Sequence, residues 1–187
     1  TLALTACGPK LADNLQPMYG NGFKTQQMIA SDEEFIATCI QQDGTRELAS
    51  RHASKRGWDF FYRADADTAM KRFNQAWLLD PNNPESHWGF GVIMSTRMDL
   101  EEAEKHFSRA LELDPNNGRL LSDAAFSKVN RGSAFSSAPN AQQGFFKEAE
   151  SLFERGLVAD NKYPLLHFQW AILKYHQRDY KGAWEKI

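Results

Sequence analysis

Phe35, Ile36, Cys39 and Ile40 are spaced so that they share one face of a helix. Ser31 and Glu34 form a capping box just ahead of them and Asp43 with Gly44 closes the run, so the pattern predicts a short amphipathic helix over 32–42. Downstream, small and apolar positions recur in a longer rhythm. Asp80, Pro81, Asn82 and Asn83 return 34 residues later as Asp114, Pro115, Asn116 and Asn117, and the same step carries Gly57 to Gly91, Ala69 to Ala103, Phe73 to Phe107 and Ala76 to Ala110. A helical hairpin accounts for these types. Gly57 and Gly91 on the first helix, with Ala69 and Ala103 on the second, let two backbones approach where they cross. The phenylalanines fill the core one turn on, and Ala76 and Ala110 leave room for the next hairpin. Pro81 and Pro115 end the second helix. Asp99 with Glu102 caps the second helix of the later hairpin, and Asp67 takes the N-cap role in the earlier one.

Two more units follow less regularly. A first helix near 119–131 leads into a Gly/Ser/Pro-rich stretch, 131–140, that reads as a loop, and a second helix resumes around 141–160 with Ala149, Phe153 and Gly156 in the expected places. Ala103 to Ala149 is 46 residues, so this unit carries a 12-residue insertion. Pro164, His167, Ala171, Asp179 and Ala183 match Pro84, His87, Gly91, Asp99 and Ala103 at a constant offset of 80 and open a fourth, partial unit. Residues 10–30 show no period and carry the turn residues Pro17, Gly20, Asn21 and Gly22.

These landmarks resemble the tetratricopeptide repeat, a 34-residue helical hairpin. The resemblance implies an all-α fold, its hairpins stacked as a right-handed α-solenoid of about three and a half repeats (50–83, 84–117, 118–161 with the insertion at 131–146, and 162–187) within a domain 46–187. Residues 8–45 would form an N-terminal segment whose helix caps the stack. In this family the first helices line a concave groove, and ligand contacts fall mainly at positions 2, 5, 9, 12 and 13 of each repeat. Carried over, those positions bring Trp58, Phe61, Tyr62, Trp88, Val92, Phe126, Phe168, Ile172 and Tyr175 into the groove. The lining lacks the Lys/Asn/Arg set with which some such repeats clamp an acidic C-terminal peptide. Three readings stand side by side: anchors for a partner's helix or extended segment, ordinary inter-repeat core, or a groove filled by residues 10–30 through Leu11, Leu15, Met18, Tyr19, Phe23 and Met28.

Composition narrows the function. Lys+Arg 22 against Asp+Glu 24 in 187 residues gives a net charge of −2, which offers no sustained positive field for nucleic acid. No apolar stretch approaches the ~18 residues that span a bilayer. Catalytic signatures are missing: there is no Gly-x-Ser-x-Gly, P-loop or His-Glu-x-x-His, and the five histidines include no i, i+4 pair. Asp65 and Asp67 resemble the start of a calcium loop, but Met70 and Ala76 stand where that loop needs Gly and Glu. The sequence therefore points to a non-catalytic protein with no cofactor and no metal.

Leu4, Thr5, Ala6 and Cys7 resemble the bacterial lipobox, in which the thiol takes diacylglycerol and becomes a lipidated N-terminus; residues 1–7 then read as a signal-peptide remnant. Gly8 after the cysteine implies sorting to the outer membrane. A Cys7–Cys39 disulfide is the competing use of that thiol. The expectation is a lipid-anchored binding module on the periplasmic face of the bacterial outer membrane, recruiting or scaffolding an envelope protein or peptide. The alternative is a periplasmic immunity protein that neutralises a secreted toxin.

Overall fold

The computed structural model describes residues 11–187, which form nine α-helices and two short 3-10 turns, with no strand among the described residues. Cys7 and the leader-like residues before it lie outside the described residues. The chain divides into two compact units, one ending at Pro81 and the other spanning Asn82–Ile187.

The first unit holds the 3-10 turns Asp13–Leu15 and Pro17–Asn21 and the helices α1 (Gln26–Asp43), α2 (Arg46–Phe61) and α3 (Ala66–Leu79). Helix α1 starts about a turn and a half before the expected 32–42. Its cap is Thr25, whose hydroxyl accepts from Met28 N at 3.2 Å, and Ser31 lies inside it, because nothing between Gln26 and Ala30 interrupts a helix. Phe35, Ile36 and Cys39 pack with Ala49 and Ala53 of α2 and Ala76 and Leu79 of α3, while Ile40 sits at the exposed edge. Burial, with the nearby Asp43 carboxylate, pushes the Cys39 thiol pKa up, which suits a packed thiol rather than a reactive one.

Gly57 makes room for the fully buried Phe73: a Cβ there would lie 2.7 Å from the ring, so the glycine serves the phenylalanine more than a close Gly–Ala approach. The cap of α3 is Asp65, accepting from Thr68 N at 3.0 Å, and not Asp67, which lies in the first turn. Residues 11–22 dock on α3 through one buried amide. Asn74 Nδ2 donates to the carbonyls of Asn14 (3.2 Å) and Gln16 (2.8 Å), and its Oδ1 accepts from Tyr19 N (3.2 Å). The grip holds a left-handed turn, with φ of 51° at Met18 and 55° at Tyr19. This stretch, which in one of the three readings fills the first-helix groove, binds the second helix of its hairpin, and Phe23 and Met28 beyond it remain exposed.

The second unit contains α4 (Pro84–Thr96), α5 (Leu100–Leu113), α6 (Gly118–Ala134), α7 (Pro139–Ala159), α8 (Pro164–His176) and α9 (Tyr180–Trp184). Asn83, Asp99, Asn117 and Asp179 cap α4, α5, α6 and α9. Two of its hairpins turn through a left-handed residue, Met98 (φ 62°) and Arg178 (φ 61°), at the place Ala64 (φ 61°) holds in the first unit. In the third repeat that place falls on Gly132, the residue best suited to such a φ, yet α6 runs straight through it. Gly132 is needed for closeness: a Cβ would lie 2.6 Å from the ring of Phe146.

The expected loop at 131–140 is therefore mostly helix. Helix α6 has 17 residues against 13 in α4, α7 has 21 against 14 in α5, and the turn 135–138 is one residue longer than 97–99, which together absorb the whole insertion. Pro139 opens α7 at its first position, where a missing N–H costs nothing. Phe146 joins Val129, Phe153, Leu166, Trp170 and Leu173 in the core of this unit.

Candidate functional site

The first helix of each hairpin presents one face with an aromatic cast, and the two units differ in what surrounds it. On α2, Trp58 stacks on Tyr62 (centroids 6.0 Å apart), meets Phe61 edge-on at 5.9 Å and leans on Phe73 at 5.0 Å. Trp58 and Phe61 are half-buried and Tyr62 is 76% exposed. The three rings close on one another and on the core.

On α4, α6 and α8 of the second unit the rings surround a polar network. Trp88 is buried, and its indole Nε1–H donates to Asp123 Oδ2 at 2.9 Å. Gln169 Nε2 donates to Asp123 Oδ1 at 3.5 Å, and Ser122 Oγ donates to Gln169 Oε1 at 2.5 Å. Desolvation pushes the Asp123 pKa up to about 6, although the Trp88 and Gln169 hydrogen bonds pull it down. Val92, Phe126 and Ile172 are half-buried, the latter two against the core. Phe168 and Tyr175 are 55% and 62% exposed; with Leu165 (41%) and Ile172 they form a stripe at helical spacing along α8.

Of the nine expected groove residues, Trp88 is thus core, Phe126 and Ile172 serve core and surface together, and Tyr62, Phe168 and Tyr175 are open to a partner. Sequence reasoning missed Asp123 and Gln169, both at position 6 of their repeats. The available signal was an acid set among Leu120, Leu121, Ala124 and Ala125 on an otherwise small and apolar stretch. Within this network the Ser122 hydroxyl donates to Gln169 Oε1 and not to the Asp123 carboxylate.

Elsewhere in the second unit, α5, α6 and α7 enclose a cavity of about 310 Å³ over Phe107, Leu111 and Leu152. Its charges are matched internally: Glu104 takes Lys128 and Arg131, and Lys128 also reaches Glu148 at 2.5 Å. Phe145 lies beneath the Arg131 guanidinium at 4.9 Å, while Phe135 is 41% exposed. Between α4 and α5, His87 and His106 face each other through Nδ1 at 3.4 Å, and burial with the neighbouring His87 drives the His106 pKa down to about 4. Among the described residues no cluster of three His, Cys, Asp or Glu side chains is placed to hold a metal ion, and no helix is long and apolar enough to cross a membrane.

No protein-family model matches this sequence, and no curated protein matches it. Among solved structures, the chain is similar to TTC0263, a thermophilic TPR protein of Thermus thermophilus, at 14% identity and a TM-score of 0.67 over 73% of this chain and 70% of that one. It also matches PilF of Pseudomonas aeruginosa at 21% identity and a TM-score of 0.41, over 75% and 74% of the two chains. The first likeness is one of fold: the chain has an all-α architecture of the tetratricopeptide type.

Proposed function

We propose that this chain is a non-catalytic protein-binding module that uses the α4–α6–α8 face to hold a segment of a partner, and that a lipid on Cys7 tethers it to the periplasmic face of the bacterial outer membrane. One observation carries the binding reading: Leu165, Phe168, Ile172 and Tyr175 leave a continuous apolar stripe open along α8, where rings of the core beneath are already packed. Large apolar side chains grouped on a surface mark interaction sites, and aromatic anchors supply most of the affinity there. The tether rests on Leu4, Thr5, Ala6 and Cys7 and on the resemblance they carry.

A photoreactive side chain at position 168 of the membrane-associated protein tests the face. One discrete crosslinked partner is expected, lost from the Tyr175→Ala chain at unchanged melting temperature; an undiminished crosslink in that variant would refute the assignment. For the tether, Cys7→Ser should move the protein out of the membrane pellet, and a variant that stays there rules out lipidation of Cys7.

A further inference from the structure

We infer that Asp123 is the anchor point for a cation, so that the partner segment presents a Lys or Arg side chain, flanked by apolar residues, to the α4–α6–α8 face. This rests on the protein-binding reading and names the chemistry of what is bound.

Charge is unevenly matched within the second unit. Two of its half-buried carboxylates have a cation in reach: Glu104 has Lys128 and Arg131, and Glu150 has Lys174 at 2.5 Å. Asp123 is set deeper in the protein and has two neutral donors, the Trp88 indole and the Gln169 amide. An ionised carboxylate offers about four acceptor directions, and the second of these contacts, at 3.5 Å, is at the limit of a hydrogen bond. Ser122 fixes Gln169 Oε1 at 2.5 Å and so turns the amide nitrogen toward Asp123. The charge is half-buried with neutral donors alone, and a charge so placed without a counterion is completed when one arrives from outside.

The surroundings select the kind of cation. Asp123 keeps part of its surface open; Phe126 lies one turn along α6 from it, and α8, whose Gln169 reaches it, carries the exposed Phe168 and Tyr175, apolar and aromatic side chains of the kind that suit the stem and head of a Lys or Arg. An indole N–H and an amide N–H are donors and leave no ligand set for a metal ion around this one carboxylate. An anionic segment would meet the Asp123 charge directly.

The test uses the whole chain and a displayed library of random 12-residue peptides, with selected peptides resynthesised and their dissociation constants measured. Selected peptides should converge on a Lys or Arg with apolar residues within two positions of it. Asp123→Asn should weaken them about 30-fold or more, at unchanged circular dichroism. Replacing the peptide's Lys by norleucine, or its Arg by citrulline, should weaken binding to the wild-type chain as much and add nothing in the Asp123→Asn chain; this arm leaves the protein untouched. Peptides without a basic residue that still lose binding on Phe168→Ala would overturn the cation and leave the binding face standing. Basic peptides indifferent to Asp123→Asn but sensitive to Phe168→Ala would do the same. Peptides indifferent to both substitutions, or a library that yields no binder, would overturn the face and the cation together.

Discussion

The aromatic face of α2 and that of α4, α6 and α8 occupy equivalent repeat positions, yet one is a cluster of rings alone and the other includes a charged group. Trp58 meets Phe61 and Tyr62 and rests on Phe73, so the ring cluster is tied to the core of its own hairpin while Tyr62 stays exposed. The second face is built around a carboxylate that its own neighbours solvate incompletely. Similar side chains at similar positions therefore do two jobs: packing in one unit, and apolar contact around a half-satisfied charge in the other. Position in a repeat says where a side chain points, and the neighbours supplied by the next helices decide whether it is finished there.

Substitutions can break that contrast at several strengths. The largest effect is expected from Phe73→Ala, about 3 to 5 kcal/mol of lost stability in urea unfolding; a loss below about 1 kcal/mol would show that the α2 rings are not seated on the core. Next come two titrating groups of the second unit, with opposite signs. His106 has a folded pKa of about 4 against an ordinary value of 6.5, so the unfolded chain binds more protons between these limits and stability falls on acidification through that window. His106→Gln should remove up to about 3 kcal/mol of that acid loss, seen as a flatter profile of unfolding free energy between pH 6.5 and 4.

Asp123 runs the other way. Its folded pKa of about 6 lies above the ordinary 3.8, so its contribution is fully present below pH 3.8 and is lost as pH rises through 6. Asp123→Asn should flatten the profile of unfolding free energy between pH 4 and 6 by up to about 3 kcal/mol; an Asn variant that keeps the wild-type slope there would mean that the carboxylate already has what it needs. Smallest in stability, and sharpest for the contrast, are Tyr62→Ala and Phe168→Ala. Each should cost less than about 1 kcal/mol, while peptide capture should be lost in the Phe168 variant alone.

Much of the fold was legible because its landmarks are local. The 34-residue step and the Ala, Phe and Pro positions follow from one hairpin's own packing, and the Asp99 cap is a short-range signal. The misreadings arose where two local signals competed. Thr25 and Ser31 can each cap a helix, and the chain uses the earlier; Asp65 and Asp67 flank the same turn. Gly132 and Pro139 read as loop markers, but one is a contact glycine under Phe146 and the other a helix opener. The candidate site was half legible. Its rings fall at expected positions, whereas Asp123 reads as one more surface acid until Trp88, 35 residues before it, and Gln169, 46 residues after it, close over the carboxylate. The small and apolar letters on either side of Asp123 hint at burial, but the partners that other helices supply are not written there.

The grip of Asn74 on Asn14 and Gln16 sets an order of events in the making of the protein. The bonds span up to 60 residues of chain, so the stretch synthesised early has nothing to hold until α3 has been made and has folded. Residues 11–22 leave the ribosome before α3 and come to rest only after it. Their left-handed turn, unfavourable by about 1 to 2 kcal/mol for each residue other than glycine, would spring back the moment that amide let go.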